Sequence, residues 1–174
     1  AAGRHLVLLG YCGWSDGQMM GPQVAGAWSG LPVRAHELAA PEHTLSLDGV
    51  EEKQALPGPF TVPAFAAGAG QVVGRWADGE PSAVCRAEPA ATWWAFGLPP
   101  NRPAFWRALG RRAGCLVVNE HDETTLLGDG LLVVHTVAGG ARELRLPTGA
   151  VVRAELPPRS TTVFDAETGA RLLG

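Results

Sequence analysis

Residues 71–97 of the chain read QVVGRWADGEPSAVCRAEPAATWWAFG, and they contain its clearest secondary-structure pattern. The segments QVVGRWA and PSAVCRA lie on either side of Asp78-Gly79, a pair that favours a tight turn because both residues tolerate positive φ. They predict two antiparallel strands joined as a hairpin. The segment TWWAFG predicts a third, aromatic strand, in which Trp93 and Trp94 point to opposite faces because side chains alternate along a strand.

The sequence around this segment predicts a mixed α/β region followed by an all-β region. Residues 5–10 (HLVLLG) predict a buried strand, since both of its faces are apolar. Residues 101–114 predict a helix, with an asparagine as its N-cap and a glycine at its end. After Cys115 short strands and turns alternate about every 8–12 residues, which is typical of a small antiparallel sheet or sandwich. We therefore expect an α/β domain at 1–115 and an all-β domain at 116–174.

The composition excludes several classes of protein. The chain has 174 residues, of which 46% are hydrophobic, so it is able to bury a core. Its 23 glycines and 14 prolines disfavour a long helical bundle, because both residues interrupt helices. With 14 basic and 17 acidic residues, it has no excess of positive charge for binding nucleic acid. No apolar run approaches the roughly 18 residues of a membrane-spanning helix.

The three cysteines indicate a reducing environment. Cys12, Cys85 and Cys115 form neither a disulfide framework nor a C-x-x-C metal motif. Separate thiols suit a cytoplasmic protein, although one bridge and one free thiol are also compatible with this set. The chain begins without Met and enters a predicted strand within five residues, which indicates a piece of a longer protein or a matured one.

Cys12 is a candidate nucleophile, because it follows a predicted strand and is flanked by Gly10 and Gly13. Glycines in a tight strand-to-helix turn leave a thiol exposed near backbone amides. His121 and Glu123 form a His-x-Glu pair, and together these features resemble class I glutamine amidotransferases. The glycine spacing departs from the G-x-C-x-G elbow of that family. The alternative is that Cys12 is a small apolar residue at the end of a strand.

The other ionisable residues show no spacing that is typical of a catalytic pair or a metal site. Most of the 17 acidic residues lie in turn or loop contexts, where a pair of carboxylates on a rigid scaffold is not expected. No two of the five histidines have the spacing of metal ligands. We therefore predict no metal site and no cofactor.

Six tryptophans are many for a chain of this length. Tryptophan is a large core and interface residue, and its exposed face also stacks on sugars. If one of the two tryptophans in TWWAFG packs in the core, the other faces a second layer or a partner. Trp93, Trp94, Phe96 and Trp106 are the interface candidates, and a carbohydrate-binding surface is the alternative.

Residues 70–164 resemble, in the order of their elements, the end of family 42 β-galactosidases and related glycoside hydrolases. The order is a strand pair (GAGQVVGRWADGEPSAVCRA), an aromatic strand (TWWAFGLP), a helix ending in Ala-Gly (FWRALGRRAG) and a β tail that closes with LPPRSTTVF. In that family a flavodoxin-like trimerisation domain, related in fold to class I amidotransferases, precedes a small C-terminal β-domain. The resemblance implies a truncated flavodoxin-like sheet with few helices at 1–115, followed by a small antiparallel β-domain.

The same resemblance implies an accessory role. The family's catalytic barrel and its two glutamates have no counterpart in this sequence, so no catalytic residue is carried over. A domain that determines the geometry of an oligomer can shape an active site without doing chemistry. We therefore expect a non-catalytic oligomerisation region of a β-galactosidase-like glycoside hydrolase, with a second copy or the parent's catalytic barrel as its partner. An amidotransferase-like cysteine hydrolase and a carbohydrate-binding module are the alternatives.

Overall fold

The computed structural model describes residues 3–12, 15, 17–66 and 68–174, and it consists mainly of β-strands. Strands hold 50% of the residues and helices 11%. The chain divides into two compact units, Ala1–Leu109 and Gly110–Gly174. The sequence pattern placed the boundary after Cys115, a few residues later.

The first unit contains a six-stranded sheet and a separate strand pair. Its elements are β1 (Arg4–Leu9), α1 (Pro22–Ser29), β2 (Val33–Leu38), β3 (Glu42–Leu47), β4 (Val50–Ala55), β5 (Phe60–Phe65), β6 (Gln71–Trp76), β7 (Pro81–Ala87), β8 (Ala91–Phe96) and α2 (Pro103–Arg112), which continues past the boundary. The large sheet has the order β1-β8-β7-β6-β3-β4, and β2 pairs with β5. In the large sheet β1 runs parallel to β8, whereas the other neighbours run antiparallel.

The predicted flavodoxin-like α/β fold is wrong. Parallel strands in such a fold need a crossover connection of a dozen or more residues, usually a helix. Here Asp48-Gly49 joins β3 to β4, and short turns join β6 to β7 and β7 to β8, so each strand returns antiparallel. The hairpin predicted over residues 71–87 is confirmed in β6 and β7. Because these connections are short, they cannot contain the helices that alternate with strands in a flavodoxin-like fold.

The aromatic strand β8 contributes to a core on each face of the large sheet. Trp94 and Phe96 are each 1% exposed and belong to one buried cluster with Phe105 of α2. The rings of Phe96 and Phe105 meet edge to face, with centroids 5.9 Å apart. Ala95 belongs to a different buried cluster with Leu31. Side-chain alternation along β8 therefore decides which residues are available at the surface.

The N-terminus of α2 is held by a buried carboxylate on β4. Glu52 is 1% exposed. Its Oε1 accepts a hydrogen bond from the backbone N–H of Asn101 at 2.7 Å, and its Oε2 accepts one from Arg102 at 3.1 Å. The Gln54 side chain also donates to Oε1. Since backbone N–H groups at a helix start have no intrahelical acceptor, Glu52 satisfies them and joins β4 to α2.

The second unit is antiparallel in all of its described strand pairs. Its strands are β9 (Thr124–Gly128), β10 (Leu131–Thr136), β11 (Gly140–Arg145), β12 (Val151–Leu156), β13 (Ser160–Asp165) and β14 (Arg171–Leu173). They form a sheet of order β14-β13-β10-β9 and the pair β11-β12. Leu132, Val134, Leu144, Leu156 and Phe164 are at most 1% exposed and form the centre of its core.

Replacing Glu52 with Ala should lower the free energy of unfolding of the first unit by about 1–3 kcal/mol, because two main-chain donors lose their buried acceptor. The matched control is Glu51→Ala, which removes an exposed carboxylate from the neighbouring position of β4. Its effect should stay within about 0.5 kcal/mol. Urea unfolding followed by tryptophan fluorescence measures both. Equal effects of the two substitutions would contradict the structural role of Glu52.

We expect His43 on β3 to make the first unit sensitive to acid. The residue is 0% exposed, and its ring stacks on Trp76 with centroids 5.2 Å apart. Burial lowers the pKa of His43 below its usual 6.5, although the charge of Glu52 and the side chain of Gln54 oppose that shift. The unfolded chain therefore binds a proton at a higher pH than the folded chain does. The stabilising contribution of neutral His43 is present above the unfolded pKa and is lost as the pH falls through the folded pKa.

We expect the free energy of unfolding of the first unit to fall as the pH drops below about 6.5. His43→Phe should weaken this dependence, because Phe keeps the ring stack without titrating. Tryptophan fluorescence reports on this unit alone, since all six tryptophans lie within it. The control is His135→Phe in the second unit, which should leave the dependence unchanged. An unaltered acid response in His43→Phe would show that another group is responsible.

Candidate functional surface

Cys12 lies in the turn that follows β1, and its side chain is exposed. Its backbone N–H donates to the Leu9 carbonyl at 3.3 Å. The crevice beside it is lined mainly by apolar groups, with Ser29 as the hydroxyl side chain. The Ser29 hydroxyl is already used, since it donates to the Ala25 carbonyl at 2.6 Å and accepts from the Leu31 N–H at 3.1 Å. The side chains that line this crevice therefore provide no base for the thiol.

Other parts of the predicted cysteine site fall elsewhere. Gly13, the second glycine of the predicted turn, lies outside the described residues, as does Trp14. His121 and Glu123 belong to the second unit, whereas Cys12 belongs to the first. The structure brings His121 and Glu123 into one turn and leaves Cys12 in a different compact unit.

Glu123 takes part in a buried ion pair with Arg142 of β11. The two side chains are 7% and 8% exposed, and Arg142 Nε donates to both carboxylate oxygens at 2.9 and 3.0 Å. Arg142 also donates to the carbonyls of Gly139 and Ala141, so the pair ties the turn to β11. The Arg142 hydrogen bonds lower the pKa of Glu123 below its ordinary range, with a further contribution from Asn119. This carboxylate has a structural role.

The four aromatic interface candidates separate into core and surface residues. Trp94 and Phe96 lie in the core, where Trp94 Nε1 donates to His5 Nδ1 at 3.1 Å. Their side chains are therefore not at the surface where contact with a partner was predicted. Trp106 is 36% exposed and donates to the Pro100 carbonyl at 2.9 Å. Trp93 is half-buried, on the face of β8 opposite to Trp94.

Trp93 forms an exposed aromatic corner with Trp28 of α1. Trp28 is 58% exposed, and the two ring planes are nearly perpendicular at 87°, with centroids 6.4 Å apart. Trp93 Nε1 donates to Glu88 Oε2 at 3.1 Å, and Glu88 Oε1 pairs with Arg86 at 2.7 Å. Leu6 of β1 stands beside Trp93 in the strand register and is 42% exposed. Tryptophan content pointed to Trp93, but only the fold shows that Trp28 stands beside it.

Strand β1 is an apolar edge of the large sheet. The strand predicted at HLVLLG is confirmed, but the prediction that it is buried is wrong, since Leu6, Val7 and Leu9 are 42%, 39% and 38% exposed. Their exposure follows from position, because β1 pairs with β8 alone among the described strands. The opposite edge, β4, reads VEEKQA and carries three charges. Charges protect an edge strand from pairing with another chain, whereas an apolar edge favours it.

The described ranges, 3–12, 15, 17–66 and 68–174, bear on metal binding and on membrane insertion. Within them, no group of three or more His, Cys, Asp or Glu side chains lies close enough to hold a metal ion. No helix in the described part of the chain has the length and apolar character needed to cross a bilayer.

The Glu123–Arg142 pair should stabilise the second unit at neutral pH and lose its effect in acid. Because the folded pKa of Glu123 is lowered, its contribution is present above the ordinary glutamate pKa of about 4.5 and is lost as the pH falls through the folded pKa. Glu123→Gln should therefore cost about 1.5–3 kcal/mol near pH 7 and less in acid. Hydrogen exchange of the β11 and β12 amides measures this opening free energy.

The matched control is Glu120→Gln, which weakens the exposed pair of Glu120 with Arg111. Exposed pairs contribute less than about 1 kcal/mol, so exchange in β11 and β12 should barely change. A Glu123→Gln variant that matches this control at neutral pH would contradict the structural role of Glu123.

No model of a known protein family matches the chain, and no curated protein shows significant sequence similarity to it.

Proposed function

We propose that this chain is a non-catalytic assembly region of a β-galactosidase-like glycoside hydrolase, in which β1 pairs with β1 of a second copy. The observation that carries the proposal is the exposed apolar edge of β1. Leu6, Val7 and Leu9 expose about two-fifths of their surface on a strand that has one described neighbour. An edge of this kind is a template for a further strand.

The charge at one end of β1 favours an antiparallel arrangement of the two copies. Most soluble homo-oligomers are closed by two-fold symmetry, in which the same surface meets itself. A two-fold axis centred on Val7 sets Val7 opposite its own copy, Leu6 opposite Leu8 and Arg4 opposite Gly10. A parallel arrangement would bring the two Arg4 side chains together at one end. The antiparallel pair keeps these charges apart and has only apolar side chains at its centre.

The buried carboxylates support an assembly role over catalysis. Glu52 accepts main-chain hydrogen bonds at the start of α2, and Glu123 is paired with Arg142. Both groups are thereby committed to holding elements together. The crevice beside Cys12 is lined by apolar groups and by a Ser29 hydroxyl that is already hydrogen-bonded. The cysteine-hydrolase alternative thus gains no support from the first unit.

The glycoside hydrolase parent rests on the order of elements in residues 70–164. The strand pair, aromatic strand, helix and β tail that carry the resemblance correspond to β6, β7, β8, α2 and the strands of the second unit. The flavodoxin-like part of that resemblance does not hold for the fold. Assembly through β1 depends on the exposed edge of that strand and does not require a flavodoxin-like fold.

Val7→Lys should convert a dimer of the chain into a monomer, because it sets two ammonium groups opposite each other at the two-fold axis. We expect the dissociation constant of the dimer to rise by at least about tenfold. Light scattering coupled to size-exclusion chromatography measures the mass. Glu51→Lys on the exposed face of the β4 edge is the control and should keep the dimer mass.

Two outcomes would overturn this proposal. A wild-type chain that is monomeric at high micromolar concentration would remove the assembly function. A dimer that survives Val7→Lys and the same substitution at Leu9 would place the contact elsewhere than β1.

A further inference from the structure

The aromatic corner formed by Trp28 and Trp93 joins two nearly perpendicular indole rings. Trp28 lies in the last turn of α1 and Trp93 lies on β8, so two different elements supply its two walls. The indole planes meet at 87° with centroids 6.4 Å apart, which leaves a floor and an upright wall. Trp28 is 58% exposed, far more than a core tryptophan.

The two walls are tied together by Arg86 on β7. Its Nη1 donates to the Gly30 carbonyl at 2.8 Å and its Nη2 donates to the Ser29 carbonyl at 3.2 Å. These carbonyls lie at the end of α1, where carbonyl groups have no intrahelical donor. Gly30 ends the helix in the left-handed region, with φ of 65°. The position of Trp28 relative to β7 and β8 is thus set before any ligand binds, which lowers the entropic cost of binding.

A carboxylate stands at the rim of the corner. Glu88 accepts from Trp93 Nε1 at 3.1 Å and from Arg86 at 2.7 Å, and its side chain is 40% exposed. A carboxylate offers about four acceptor positions, so roughly two remain directed at solvent or a ligand. The guanidinium of Arg86 balances the charge of Glu88. The rim therefore accepts hydrogen bonds without a net charge.

We propose that the aromatic corner binds a neutral saccharide, a binding function that goes beyond assembly. A pyranose ring has an apolar face of C–H groups and a rim of hydroxyl donors, and these two features match an exposed indole face beside a carboxylate. A charged ligand would gain little from the balanced Arg86–Glu88 pair. A purely apolar ligand would leave the exposed acceptors of Glu88 without donors, which costs binding free energy.

Titration of the chain with cellotetraose and with β-1,4-galactotetraose tests this site, with sorbitol as a polyol that lacks a ring. We expect a change in tryptophan fluorescence and saturable heat of binding by calorimetry in the millimolar range for at least one tetrasaccharide. Trp28→Ala and Trp93→Ala should each weaken binding by about tenfold. Glu88→Gln, which keeps the shape of the rim, should weaken it less, by about threefold to tenfold.

The control is Trp106→Ala, which removes a 36% exposed tryptophan from α2 and should leave affinity unchanged. The Val7→Lys variant should bind the tetrasaccharide with unchanged affinity. The test of saccharide binding is therefore independent of the test of assembly through β1. The absence of saturable binding of either tetrasaccharide at millimolar concentration would overturn the proposal. Binding that Trp28→Ala, Trp93→Ala and Trp106→Ala weaken equally would also overturn it. Cooperative urea unfolding of each variant confirms that the comparison is between folded proteins.

Discussion

The alternation of side chains along β8 is the constraint on which the first unit depends. Trp94 and Phe96 point to one face and pack with Phe105 of α2, while Trp93 and Ala95 point to the other. The strand also pairs with β7 on one side and with β1 on the other. A shift of register by one residue would expose two core rings and bury Trp93. The core, the aromatic corner and the position of β1 therefore all depend on the register of β8.

The two edges of the large sheet differ in chemistry, and this difference makes them unequal as sites for pairing with a further strand. Strand β4 carries charges and uses Glu52 to hold α2, so its polar groups have tasks within the same unit. Strand β1 carries Leu6, Val7 and Leu9 without a described neighbour on its outer side. The β4 edge is thereby suited to contact with water, and the β1 edge is suited to pairing with a further strand. Within the first unit, growth of the sheet is favoured on a single side.

Sequence reasoning predicted the local features of the fold and missed those that depend on distant residues. The β6–β7 hairpin was predictable because Asp78-Gly79 decides it locally. The burial of residues 5–10 was not, because an apolar run does not show whether its strand is central or at an edge. The flavodoxin-like expectation came from the order of elements, which does not determine how strands pair.

At the candidate site, too, the sequence indicated single residues but not their distant partners. Trp93 was accessible to sequence reasoning, since it alternates with Trp94, but its neighbour Trp28 is 65 residues away and was brought near by the fold. Glu123 attracted attention beside His121, whereas its partner Arg142 had no local signal. Ion pairs and aromatic contacts between distant residues require the tertiary structure.

The link from Glu52 to α2 also has a consequence for the energetics of folding. Its carboxylate bridges 49 and 50 residues of chain to reach the backbone of Asn101 and Arg102. The acceptor is in position only after the β3–β4 hairpin has formed, because pairing with β3 orients β4. Closing a loop of this length carries an entropic cost, which the packing of α2 against the sheet has to offset. Separation of α2 from the sheet would take Phe105 away from Trp94 and Phe96, and exposed aromatic surface of this kind promotes aggregation.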